Sequence, residues 1–454
     1  MAEKPSVLLV NPHWTGIGRQ KQRQFRRVWP PLCLALAAAM LEREGFSVEI
    51  LDNNALGLPL TEVAQKASSF DKVFVTSTPY DRWQCPSISI GFFLETARAV
   101  APEKLVILGG HVTERPETLL RATGARAAIL SEPEESILAV AERDDPAAGR
   151  DTRPDIPGLA FLSDGRLVRT APREPIADLD SLPFPAFHLL PMERYHYFPV
   201  MGRGFAILEA SRGCPARCTF CYLGMYGKKL RRKSVPRFLD EVEAVVSRHR
   251  LRNLYFMDLE FALDRAWVLA FCKGMTERGI LVNWCCQTRV TDMDGEVAAA
   301  MRKAGCSLIH FGVEAGNAEI LASTRKGITA AKAVESVRVC RSHGIRTAVF
   351  MNFGFPGETE AQMEETIDLA RAMNPTYASF HLIVPFPGTP LAEKLSVDPE
   401  AFPADQYPSY NFVDQDLSSL KRMLHRAYRR FYLRPGWALG FLSDHVKIAR
   451  SPTP

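Results

Sequence analysis

The sequence predicts an α/β protein: a doubly wound, Rossmann-like domain, then a partial (β/α)6 barrel of the TIM type, then a helical C-terminal region. Three observations carry this. Apolar runs of strand length alternate with helix-like stretches five times before residue 140. A polar, breaker-rich stretch follows, Asp144-Asp145-Pro146 to Pro154. The alternation then restarts at Phe205 and runs through six more strands. At 454 residues the chain is too long for one ordinary domain. The expected divisions are 1–140, a linker with a hairpin over 141–200, the barrel over 201–390 and the C-terminal region over 391–454.

The first part opens on the strand Ser6-Val7-Leu8-Leu9-Val10, which ends in Asn11-Pro12-His13. After a basic segment, Gly16 to Arg27, Pro30-Pro31 starts a helix, Leu32 to Glu44, and Gly45 stops it. Phe46 to Asp52 is the next strand, and a helix covers Leu60 to Ser68. Strands at Lys72–Thr76 and Leu105–Leu108 flank a helix from Ile88 to Val100. A short helix near Glu117 to Ala122 precedes the last strand, Ala127 to Leu130. Ligands of such sheets bind beyond the carboxyl ends of the strands. Those ends are small and polar: Asn11-Pro12, Asp52-Asn53-Asn54, Thr76-Ser77-Thr78, Gly109-Gly110-His111 and Ser131-Glu132-Pro133. A nucleotide, a flavin or cobalamin suits that pattern, and the absence of Gly-x-Gly-x-x-Gly disfavours a dinucleotide.

In the linker, Ile156 to Leu162 and Leu167-Val168-Arg169 flank Asp164-Gly165, the signature of a hairpin turn. Leu179 to Phe187 is a proline-pinned connector with aromatic anchors.

Composition narrows the class. Apolar content of 46% and charged content of 24% are those of a globular chain. A net charge of +5 does not call for nucleic acid. Ten cysteines in this length are no disulfide framework. Met1-Ala2-Glu3-Lys4-Pro5 shows no secretory signal, and the early apolar stretch Pro31 to Met40 is too short to span a bilayer. The expected compartment is a reducing cytoplasm.

The chemistry gathers at Gly213-Cys214-Pro215-Ala216-Arg217-Cys218-Thr219-Phe220-Cys221-Tyr222, just after the strand Phe205-Ala206-Ile207-Leu208. Three thiolates on one short loop can hold three irons of a cubane cluster and leave the fourth open. A structural zinc would want a fourth ligand, and no Cys or His lies close behind Cys221.

This loop resembles the signature of the radical S-adenosylmethionine (radical SAM) enzymes, which Tyr222 also fits. The resemblance implies a [4Fe-4S] cluster on Cys214, Cys218 and Cys221, and SAM bound at the open iron. It implies reductive cleavage to a 5'-deoxyadenosyl radical, with an electron donor such as flavodoxin or ferredoxin. In that family the end of the second barrel strand, Leu254 to Asp258, binds the SAM amino group, so Asp258 and Glu260 take that place. Asp-Leu-Glu stands there instead of the usual Gly-Gly-Glu. On the third strand, Leu281 to Arg289, alternation puts Cys285, Gln287 and Arg289 on one face, with Gln287 and Arg289 expected at the cavity and Cys285 in the core. Ser307 to Gly316 closely matches the fourth-strand motif, in which Glu314 contacts SAM. Thr347 to Gly354, with Phe355-Pro356-Gly357-Glu358-Thr359, matches the fifth; Asn352 there, like Tyr222 beside the cluster, joins the expected SAM contacts. Ala378 to Val384 is the sixth strand. The basic run Gly227 to Ser234 reads either as a solvated loop or as contacts to a ligand phosphate or carboxylate.

The first part is similar to the cobalamin-binding domain that precedes the barrel in one large class of these enzymes. Pro30-Pro31-Leu32, Gly109-Gly110-His111-Val112-Thr113 and Pro116-Glu117 carry that likeness. It implies cobalamin contacts at Asn11, Pro12, Pro31, Thr76, Ser77, Thr78, Gly109, Gly110, His111, Val112, Ser131 and Glu132. There are two departures. No Asp-x-His-x-x-Gly loop offers an axial histidine, and Ser131-Glu132-Pro133-Glu134 replaces the usual Gly-Glu-Gly-Glu. His111 by itself reads as a rim or backbone-bonded residue.

In the C-terminal region Leu420, Met423, Leu424, Ala427, Tyr428 and Phe431 recur at helical spacing among Lys421, Arg422, Arg426, Arg429 and Arg430. Such a helix docks on the barrel or, with Trp437, Leu439, Phe441 and Leu442, lies on a membrane surface. The resemblance as a whole implies a C-methyltransferase that moves a methyl from methylcobalamin, and ultimately SAM, to an unactivated carbon of a small-molecule or natural-product substrate. A ring-forming enzyme like the anaerobic Mg-protoporphyrin ester cyclase is the alternative. An iron–sulfur electron-transfer protein is the alternative of another class. The catalytic acid or base is not legible.

Overall fold

The computed structural model describes residues 4–13, 27–78, 89–144, 151–197, 200–408 and 416–437. Its first sheet holds β1 (Val7–Asn11), β2 (Val48–Asp52), β3 (Lys72–Thr76), β4 (Leu105–Leu108), β5 (Ala127–Ile129), β6 (Leu159–Ser163) and β7 (Arg166–Arg169). Their order is β2-β1-β3-β4-β5-β6-β7. The first five run parallel. All of β1 and β4 is buried, as strands covered on both faces require. The hairpin does not stand alone in a linker: β6 pairs antiparallel with β5 and extends this sheet. Its Asp164-Gly165 turn takes φ of 48° and 73°, the left-handed pair that the dipeptide favours.

The second sheet holds β8 (Phe205–Leu208), β9 (Asn253–Phe256), β10 (Asn283–Thr288), β11 (Cys306–Glu314), β12 (Arg346–Phe353) and β13 (Tyr377–Leu382). They run parallel in sequence order, an open six-stranded barrel. Five crossover helices start on a side-chain N-cap, at Ser234, Asp264, Asp294, Thr329 and Thr359.

The helix Leu32–Arg43 is buried from Leu32 to Leu41 rather than along one stripe. One apolar cluster runs from this helix through Phe187 of the connector to Phe205 and the barrel interior, so the two sheets share a core. In the first domain the sequence reading missed three helices, Asn53–Leu56, Gly110–Glu114 and Glu134–Arg143. Each follows a strand too closely for its periodicity to show.

The C-terminal helix Leu417–Tyr432 docks on the barrel. Its stripe Leu420, Met423, Ala427 and Phe431 is buried. Tyr428 and Tyr432, one turn apart, satisfy the free edge of β13. Their hydroxyls accept from the Phe380 and Ala378 amides at 3.2 and 3.0 Å and donate to the carbonyls of the same residues. Arg426 pairs with Glu364 at 2.7 Å, and Arg430 with Glu364 and Asp368. The apolar face that a membrane would need is therefore used internally. Trp437 donates to the Thr376 carbonyl at 3.0 Å, while Leu439, Phe441 and Leu442 lie outside the described residues. No described helix is long and apolar enough to cross a membrane.

Candidate functional site

The cysteine loop leaves the carboxyl end of β8 and faces a cavity of about 320 Å³ at the carboxyl ends of the barrel strands. Cys214, Cys218 and Cys221 line it together with Glu260, Gln287 and Glu314. Three thiols, two acids and an amide thus converge from four strand ends. The thiols are not equivalent. Burial pushes Cys214 up to about 11. A hydrogen bond from Cys221, helped by Lys326, brings Cys218 down to about 7.

Glu260 is the most exceptional acid. Its Oε2 is buried and has no hydrogen-bond partner among the described residues. Burial raises its pKa to about 8, against the pull of Lys326. A buried carboxyl oxygen with no partner is open to a ligand's donor, and a cationic ligand there would draw the group into its charged form. Glu314 ends β11 at φ +76°, beyond a shift in register between Gly312 and Glu314. A non-glycine residue in that region is strained, and strain of this kind gathers at functional sites. The conformation turns its carboxylate onto Lys326 at 2.6 Å and onto the Asn352 amide. Burial alone would lower Lys326, but the Glu314 carboxylate holds it above its usual range. Asn352 and Lys326 also line the cavity.

Three expected contacts are placed differently. Asp258 lines the cavity, but both its oxygens are used internally. One accepts from the Ala210 amide at 3.1 Å and the other from the Ser211 hydroxyl. It fastens the chain leading into the cysteine loop. Arg289 lies past the end of β10 and donates to the Lys326 carbonyl, bracing the turn that carries Lys326. The Tyr222 ring leaves the cavity for the first domain, where its hydroxyl lies 3.4 Å from the Gly110 carbonyl and bonds the Glu114 carboxylate. Cys285 is wholly buried, as expected of a core residue. Sequence reasoning missed Lys326, whose role depends on a partner twelve residues back on another element. It also missed Ser379 and His381 on β13, which face the same cavity with Oγ and Nε2 2.7 Å apart. Their spacing of two was the available signal.

The strand ends of the first sheet are built otherwise. Asn11 donates to Asp52 at 2.8 Å, and the Tyr195 hydroxyl from the linker donates to the other Asp52 oxygen at 2.7 Å. Burial still raises Asp52 to about 6. Thr78 accepts from the Gly110 amide at 2.9 Å. Gly109 stands at φ +111°, and a Cβ there would come within 2.6 Å of Ser77 Oγ and 2.7 Å of Thr78 Oγ1. Ser77 Oγ is itself buried without a partner among the described residues. Pro12, Pro31 and Val112 are buried. The side chains of two expected contacts face other protein. His111 is buried against the Tyr407 ring, centroids 4.7 Å apart, and its carbonyl accepts from the Tyr407 hydroxyl at 2.6 Å. Glu132 is taken by Arg231 in a bidentate pair at 2.6 and 3.0 Å and by the Ile176 amide at 2.7 Å. Ser131, at φ +59°, makes the turn before it. The basic run divides: Lys228 and Lys229 are exposed, as in a solvated loop, whereas Arg231 and Lys233 are buried, and Lys233 pairs with Glu241 at 2.7 Å.

The profile of the Radical SAM superfamily matches residues 208–370, from the last residue of β8 to the helix that follows β12. The anaerobic magnesium-protoporphyrin IX monomethyl ester cyclase of Cereibacter sphaeroides is 30% identical over 443 residues, covering 94% of this chain and 70% of that protein. The chain belongs to the radical SAM superfamily. A Pyrococcus horikoshii protein named as a methyltransferase is 29% identical over 431 residues, covering 92% of this chain and 90% of that one. The fold matches the radical SAM methyltransferase TsrM of Kitasatospora setae, solved with cobalamin and a [4Fe-4S] cluster. That match has a TM-score of 0.66 and 23% identity, and covers 87% of this chain and 78% of that one. The chain is therefore an enzyme whose superfamily works with SAM and a [4Fe-4S] cluster, and its two-domain architecture is that of the solved cobalamin-dependent members. The barrel cavity fits the first two groups: it offers three thiols on one loop and, beside them, a buried carboxyl oxygen without a hydrogen-bond partner among the described residues.

Proposed function

We propose that this enzyme is a cobalamin-dependent radical SAM methyltransferase that methylates an unactivated carbon of a small molecule. The observation that carries the reading is the shared cavity of Cys214, Cys218, Cys221 and the unpartnered Glu260 oxygen. Cys214, Cys218 and Cys221 would hold the cluster. Glu260 would take the ammonium of SAM, Lys326 its carboxylate, and Gln287, Glu314 and Asn352 its remaining polar groups. When bound, these groups supply radical chemistry, and cobalamin supplies a transferable methyl.

The chain's own task is placement. The Glu314–Lys326 pair keeps two charges ready inside a wall that is mostly apolar, where Met257, Phe350, Ile383 and Phe386 exclude water. Ser379 and His381 stand on the last strand and would orient a polar group of the substrate. For cobalamin the fit rests on the Gly109 cradle and the unpartnered Ser77 hydroxyl at the ends of β4 and β3. Gly110, Thr76 and Thr78 border that cradle, and Asn11 stands at the neighbouring end of β1. The long segments 14–26 and 79–88, which follow β1 and β3 in sequence, lie outside the described residues. A low-potential donor such as flavodoxin or ferredoxin would provide electrons, in a reducing cytoplasm.

The second reading, a ring-forming enzyme, draws on the likeness to the Cereibacter sphaeroides cyclase. Methyl-labelled SAM separates the two. Label passing from SAM to bound cobalamin supports methyl transfer. SAM consumed with all label left in methionine supports the other reading.

A further inference from the structure

The cysteine loop has a neck. Ser211–Arg212 and Arg231–Arg232 pair as a short antiparallel ladder, and residues 213–230, with all three loop cysteines, lie between them. Each strand of that neck sends one arginine to the first domain. Arg212 meets both oxygens of Glu134 at 2.6 and 3.3 Å. Arg231 meets both oxygens of Glu132 at 2.6 and 3.0 Å. The two glutamates come from one turn, the one after β5. Further donors of both arginines are used as well. Arg212 Nε bonds Glu209 at 2.9 Å, and Arg231 bonds the carbonyls of Ile176 and Tyr226 at 2.6 and 2.9 Å. The Tyr226 ring lies 5.4 Å from the Arg212 guanidinium. The side chains of Arg212 and Glu134 are both 0% exposed.

Packed apolar surface alone would dock two domains while leaving their relative placement tolerant of small slips. Two parallel forks do not. A bidentate arginine–carboxylate pair fixes direction as well as distance. Two of them side by side, on a two-stranded neck, remove rotation about either one. Buried ion pairs contribute little net stability for their desolvation cost, and their attested use is to fix register.

We propose that Arg212 and Arg231 are positioning residues: with Glu134 and Glu132 they set the distance and orientation of the cluster-bearing loop relative to the first domain. The inference concerns only the loop and the domain, so it stands whether or not cobalamin binds.

The test is a pulsed EPR distance between the reduced cluster and a nitroxide. The nitroxide is attached through a ketone-bearing residue substituted for exposed Gln65 of the first domain, which leaves the native cysteines untouched. The wild type should give one narrow distance distribution. Glu134→Gln should widen it by about twofold or more, with iron content and the cluster EPR line shape unchanged. The triple variant Arg212→Met, Glu134→Met and Glu209→Gln removes the coupled buried charges together and protects folding. It should also broaden the distribution. Glu132→Gln should add to the broadening of Glu134→Gln. A distribution as narrow as wild type in the folded triple variant overturns the proposal. So does a wild-type distribution that is already broad. Cobalt content of the same samples reports separately on the proposed function.

Discussion

The carboxyl ends of the two sheets make opposite use of polar side chains. In the barrel they converge on open space, and one oxygen of Glu260 has no hydrogen-bond partner among the described residues. In the first domain most of them satisfy one another. Asn11, Asp52 and Tyr195 form a closed set, as do Thr78 and Gly110, while His111 and Glu132 face other protein. The difference teaches how each end would hold a ligand. The barrel end would grip with charge and thiolate. The other end offers backbone, small residues and a cradle at Gly109 that any side chain would fill.

The largest break in this comparison is at the thiols. Cys218→Ala should abolish the cluster, with no brown chromophore and no 5'-deoxyadenosine formed from SAM. Persistent 5'-deoxyadenosine would remove the cluster assignment. Next comes Lys326→Met, which leaves Glu314 charged and buried. Urea unfolding at neutral pH should show a loss of about 3–5 kcal/mol, and SAM binding should fall with it.

The closed set of the first domain should show in pH. Asp52 has its pKa raised from 3.8 to about 6, chiefly by burial. The folded state therefore keeps this proton where the unfolded chain has already lost it. Stability falls as pH rises from about 4 to about 6, by about 3 kcal/mol for a shift of that size, and is level above it. Asp52→Asn should lack this step in urea unfolding of the cofactor-free protein. An unchanged pH profile would mean that the carboxylate is not buried as described. The smallest effect expected is at the barrel's edge. Tyr428→Phe and Tyr432→Phe should each cost about 1 kcal/mol in the same measurement, with SAM binding unaltered.

What the sequence could reveal follows the range of each interaction. The strands, the hairpin turn and the cysteine spacing are local, and β3 and β4 lie where the apolar runs placed them. Gln287 and Glu314 were legible because strand alternation and a motif fix them within a few residues. Pairs such as Arg212–Glu134 and Arg231–Glu132 span 78 and 99 residues. Nothing local told a solvated basic run from a buried clamp, or a cofactor contact at Glu132 from an ion pair. Tyr222 shows the same limit. Its place after Cys221 was plain, yet its ring direction depends on Gly110 and Glu114 in the other domain.

On the proposed function these two unlike ends hold two unlike metals. Iron and cobalt content, measured on protein purified anaerobically after expression with cobalamin, tests it most directly. The expected result is cobalt close to one per chain alongside about four irons. Cys218→Ala should lose the iron and keep the cobalt. Iron without cobalt in the wild type would contradict the claim.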